Sequence, residues 1–148
     1  MKSLGVALLF TLLAIGARAD LTAVLAERNL EKRARKALEN ADRALKAARH
    51  AYEHGRIDPA RSALEELRES VELAHASLRQ TGKDPVRSPR PFKHAEIKTR
   101  ALLRRLKHFQ DRMAVDDREM VEPVSRTVET IHEDLLLGIM GKRKWGGK

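Results

Sequence analysis

The sequence predicts an all-α protein: an antiparallel four-helix bundle built from two helical hairpins, with helices near 21–54, 59–80, 92–114 and 117–140. Three observations predict it. Apolar residues recur at alternating steps of three and four, the signature of a helical stripe. No stretch alternates apolar and polar with period two, so no strand is expected. Glycine, proline and aspartate divide the chain into four segments, and short connections make successive helices antiparallel.

Before the first helix lies a different segment. Met1-Lys2-Ser3 is a short basic start, Leu4–Gly16 is an uncharged apolar run, and Ala17-Arg18-Ala19 places small residues at the positions a signal peptidase reads. This pattern predicts a cleavable secretory signal over 1–19 with cleavage near Ala19 and a periplasmic or secreted product. The apolar run is too short to span a bilayer, which needs about 20 apolar residues. The chain has no cysteine, which excludes a disulfide framework and a lipid-modified cysteine.

Helix 1 carries Ala34, Leu38, Ala41, Leu45, Ala48 and Tyr52 on one stripe. Gly55 suits a left-handed stop, Asp58 a cap and Pro59 a first turn, so Gly55–Pro59 predicts a tight hairpin connection. The stretch Ala51-Tyr52-x-x-Gly55-x-x-Asp58-x-Ala60 resembles the turn between the two helices of a tetratricopeptide repeat. That family's period of about 34 residues is absent, so the resemblance covers only this turn and implies a helical hairpin. Helix 2 follows with Leu64, Leu67, Val71, Ala74 and Leu78. The proline-rich segment 81–92 predicts a linker between hairpin 20–80 and hairpin 93–141, the two forming a single domain over 20–141. Helix 3 carries Ala95, Thr99, Leu102, Leu106, Phe109 and Met113. Asp116 with Glu119 resembles a capping box for helix 4, whose stripe is Val121, Val124, Val128, Ile131, Leu135 and Ile139. Pro123 lies too far inside that helix and predicts a kink or a loosened first turn. Residues 142–148 read as a basic disordered tail.

A shift of 57 residues aligns the two hairpins, most pointedly at Val-Glu-x-x-His-x-x-Leu, found at 71–78 and again at 128–135. This weak repeat predicts a duplicated hairpin.

Charge is uneven over the chain. Residues 84–108 hold eight Lys and Arg against two carboxylates, whereas 109–141 hold eight carboxylates against three Lys and Arg. Arg100, Arg104 and Lys107 form a basic stripe on helix 3, and Lys142, Arg143, Lys144 and Trp145 place cations around an indole. These residues are the candidates for contact with an anionic envelope surface. Nucleic acid is not an expected partner: the signal directs the chain away from it, and no platform of interleaved aromatic rings exists.

Metal chemistry has four weak candidates. His50 and His54 are spaced to share one helix face, and His75 and His132 occupy equivalent places in the repeat. No cofactor is expected. No phosphate loop, nucleophile constellation or inward carboxylate pair marks an enzyme. The leading expectation is therefore a non-enzymatic binding protein of the bacterial envelope. A partner protein, or a second copy, would seat on the alanine face of helix 1 (Ala34, Ala37, Ala41, Ala44, Ala48, Ala51) and on the apolar residues Leu21, Val24, Leu25 and Leu30. The alternatives are a metal-binding bundle and a binder of anionic surfaces.

Overall fold

The computed structural model describes residues 20–145; the expected signal segment 1–19 and residues 146–148 lie outside the described residues. The described residues form helices and their connections, without a strand. Four long helices carry it: α1 (Leu30–Glu53), α2 (Ile57–Gln80), α3 (Pro89–Asp111) and α4 (Glu122–Ile139), with a 3₁₀ segment at Val115–Met120.

The first helix begins later than the apolar period suggests. Residues 20–25 form a separate helical turn, and 26–29 break it. Asn29 restarts the helix, its side-chain oxygen accepting the Lys32 N–H at 2.9 Å. Glu27 stabilises the break, accepting from the Asn29 N–H at 3.2 Å and from Lys36 Nζ at 2.8 Å. The Lys36 bond holds the Glu27 carboxyl down to about 2. The chain thus folds back along α1, with Asp20 3.9 Å from Arg43 and Val24 packed into the core.

Gly55 ends α1 in the left-handed region, φ 71, as expected of a stop that only glycine adopts without strain. Helix α2 starts at Ile57, so Asp58 sits in its first turn and caps nothing. Helix α3 starts at Pro89, three residues earlier than expected. The first-turn N–H groups have no intrahelical partner, so prolines there remove no hydrogen bond. The linker is correspondingly shorter than the proline content implied. Asp116 makes no capping bond; the 3₁₀ segment takes that place and Pro123 enters the first turn of α4.

Side-chain bonds fix the packing. Arg33 Nε donates to Ser77 Oγ at 2.9 Å and Asn40 Nδ2 to Ser70 Oγ at 2.9 Å, so α1 and α2 run antiparallel. Thr99 Oγ1 lies 3.1 Å from His132 Nδ1, and Gln110 donates to the Arg118 carbonyl at 3.2 Å, so α3 and α4 do the same. The pairs lie side by side with α1 parallel to α3 and α2 parallel to α4. Asp42 of α1 accepts from Arg105 and Lys98 of α3. Tyr52 meets Phe109 edge-on, with ring centroids 5.7 Å apart. Tyr52 Oη also donates to Asp117 Oδ2 at 2.9 Å.

Leu45, Leu67, Val71, Leu102, Leu106 and Val128 are fully buried at the centre. Each such side chain contributes about 1.5–3 kcal/mol by leaving water. The six alanines of the face expected to receive a partner (Ala34, Ala37, Ala41, Ala44, Ala48 and Ala51) are buried too, covered from within the chain, and only Ala47 of the helix's alanines is exposed. Small side chains let α2 approach closely, and that approach occupies the face expected to receive a partner. Buried polar residues in this seam are partnered: Asn40, 1% exposed, donates to Ser70 and Glu66, and Ser77 accepts from Arg33.

Candidate functional site

Helix α4 ends in a reversal that determines where the C-terminal residues go. Gly141 takes φ 70, its N–H donates to the Gly138 carbonyl at 3.0 Å, and the Lys142 N–H donates to the Leu137 carbonyl at 2.9 Å. This pairing is the Schellman arrangement, which satisfies the last helical carbonyls and turns the chain back. Residues 142–145 therefore cross the end of the molecule formed by the C-termini of α2 and α4 and the N-terminus of α3. The tail expected to be disordered and solvated is, as far as Trp145, docked.

Trp145 is 8% exposed. Its ring meets Phe92 and His75 edge-on, at centroid distances of 5.1 and 5.2 Å, and the Arg79 guanidinium lies 5.4 Å from its centroid. The fit depends on Gly138. A Cβ there would lie 2.6 Å from the indole Nε1 and 2.9 Å from Cδ1. The price of this fit is an indole N–H that is buried without a hydrogen-bond partner among the described residues.

Beside the indole is a buried carboxylate. Asp134 accepts from Arg143 and from His75 Nε2, the latter at 2.8 Å, and Arg79 lies 3.7 Å away. Burial pushes the Asp134 carboxyl up, but the bonds from Arg143 and His75 outweigh it and hold the group below the ordinary carboxylate value. The Asp134 side chain is buried, 5% exposed. Asp134 directly precedes the core residue Leu135, and its inward position has no signature in the apolar pattern.

The connection between α2 and α3 packs against this reversal. Pro85 is buried near Gly138, and Val86 Cγ2 lies 3.5 Å from where a Gly141 Cβ would stand. The cations of two distant segments thus gather at one end: Lys83, Arg87 and Arg90 with Lys142, Arg143 and Lys144, all exposed. Lys83 pairs with Glu31, Arg87 lies 3.8 Å from Asp84, and Arg143 engages Asp134. Val86 and Met140 are each 54% exposed on the same end.

The helix 3 stripe is more subdued than its sequence implies. Arg100 lies 3.3 Å from Glu96 and Lys107 pairs with Asp111, both on their own helix, while Arg104 is exposed. Lys107 also holds the Asp111 carboxyl below its usual value.

The histidines do not converge. His54 Nδ1 donates to the His50 carbonyl at 2.7 Å, and the two rings stack with centroids 4.3 Å apart at the end of α1. His75 is taken by Asp134, and His132 by Thr99 with Glu96 at 3.9 Å. A shift of 57 residues matches these two in sequence, yet His75 of α2 bonds to Asp134 of α4 whereas His132 of α4 bonds to Thr99 of α3. Among the described residues no group of three or more His, Asp or Glu side chains is arranged to hold a metal ion. At the opposite end an open cleft of about 680 Å³ is lined by Asp58, Glu65, Asp116, Asp117 and Glu119, with Arg61 among them. Among the described residues no helix is long and apolar enough to cross a membrane.

The chain matches no protein-family model, no curated protein and no solved structure.

Proposed function

We propose that this chain is an exported, non-enzymatic protein that binds an anionic surface of the bacterial envelope with its basic end. In this reading the four helices act as one bundle of two duplicated hairpins, a rigid body that presents the binding end. The pattern over residues 1–19 supports export. One observation carries the reading: Lys83, Arg87 and Arg90, from the connection and the first turn of α3, share an end with Lys142, Arg143 and Lys144. Pooled cations on one face raise the local attraction for polyanions, and that attraction falls with salt. The competing readings have less behind them. The alanine face of α1 is covered within the chain, and the histidines are engaged separately.

Cosedimentation of the purified protein with envelope membranes at rising salt tests the proposal. Binding is expected at low salt and lost at high salt. Charge reversal at Arg87, Arg90, Lys142 and Lys144 is expected to abolish it, whereas reversal at Arg100, Arg104 and Lys107 leaves most of it. Absent or salt-independent binding, or equal losses from the two sets, rejects the reading.

A further inference from the structure

We infer that the surface met by the basic end is an anionic lipid bilayer, and that Trp145 leaves its slot to enter the headgroup region with Val86 and Met140; this rests on the anionic-surface reading above. Charge alone does not distinguish a lipid from an acidic polymer. The apolar side chains do. Val86 and Met140 are each 54% exposed, and Leu136, one helical turn before Met140, is 39% exposed. A patch of large apolar side chains rimmed by Lys and Arg suits the boundary between headgroups and acyl chains, where both kinds of group find partners. An acidic polysaccharide offers nothing to the apolar part.

Trp145 is set up to join them. It is the only tryptophan of the chain, and it lies four residues beyond the Gly141 reversal. The docked indole keeps its ring contacts with Phe92 and His75 but finds no partner for its N–H among the described residues. At a membrane interface an indole keeps an apolar environment for its ring and gains water or carbonyl partners for its N–H. The segment is held by the pair between Arg143 and Asp134 and by the indole itself. Lipid phosphate competes directly for Arg143, so arrival at an anionic bilayer weakens the tie that keeps Trp145 docked. The close approach at Gly138 makes the slot sensitive to a single methyl group.

Tryptophan emission of the full chain, measured with vesicles of equimolar phosphatidylcholine and phosphatidylglycerol brominated on the acyl chains, tests the inference. Quenching is expected with these vesicles and not with brominated phosphatidylcholine alone. Lys142→Ala with Lys144→Ala is expected to weaken partitioning roughly twenty-five-fold, at about a factor of five for each cation. Gly138→Ala, which crowds the slot, is expected to strengthen both partitioning and quenching. Salt-sensitive binding without quenching overturns the insertion of Trp145 and leaves the anionic-surface reading standing. Binding to an anionic polymer but not to the vesicles overturns the choice of lipid. Absence of binding to either overturns both.

Discussion

Replacing Gly138 with alanine separates the docking of Trp145 from the stability of the helix that receives it. The new Cβ would stand 2.6 Å from the indole Nε1, 2.9 Å from Cδ1 and 3.3 Å from Pro85 Cγ. The first two distances lie well inside van der Waals contact, so the ring must move. Little opposes that movement. An indole buries about 150–250 Å², which at about 25 cal/mol per Å² contributes about 4–6 kcal/mol. Ordering the backbone of residues 142–145 costs about 1–2 kcal/mol per residue, and the unpartnered N–H costs about 1–3 kcal/mol. These costs are as large as the gain or larger, so the tie between Arg143 and Asp134 is needed to keep the indole docked. Alanine in place of a helical glycine returns about 0.5–1 kcal/mol, so global stability is expected to change by no more than about 1 kcal/mol. The emission maximum of the single tryptophan is expected to move to the red, and acrylamide is expected to quench it more efficiently. Unchanged emission and quenching in a folded Gly138→Ala protein would refute the docking of the indole against this position.

Two further expectations concern buried polar groups. Asp134 has a folded-state pKa below its ordinary value, so it contributes stability above about pH 4 that is lost as pH falls through the folded pKa. Asp134→Asn is expected to lower the melting temperature at neutral pH and flatten the acid limb of its pH dependence; an acid limb identical to that of the parent protein would sink this assignment. Asn40→Ala is expected to cost about 1–3 kcal/mol in urea unfolding, because it strips a buried amide from Ser70 and Glu66. A double-mutant cycle with Ser70→Ala then yields a coupling of about 1 kcal/mol, and strictly additive losses would show that the bond contributes nothing.

Leu21, Val24, Leu25 and Leu30 continue the apolar spacing of α1, so period alone extends that helix too far. The break at 26–29 depends on the Asn29 cap, which was readable, and on the Glu27–Lys36 pair, which forms only once the chain folds back. Asp116 and Glu119 have capping-box spacing, yet the 3₁₀ segment takes their place and the neighbouring Asp117 bonds to Tyr52 across the fold. The prolines ahead of α3 read as a loop because proline breaks helix interiors, but two of them sit where a helix tolerates it.

By itself the sequence determined the helical class, the four stripes and the stop at Gly55. These follow from backbone geometry and from side chains within a turn or two of one another. Tertiary structure decided which stripe faces which, and with it the fate of every candidate residue. The alanine face of α1 is covered from within the chain. His75 goes to Asp134, and the cations of 83–90 join those of 142–144. The burial of Trp145 needs Phe92 from one segment, His75 from another and the absence of a side chain at Gly138. Period and capping are properties of neighbours along the chain, whereas a slot between helices exists only after distant segments have paid the entropy of meeting.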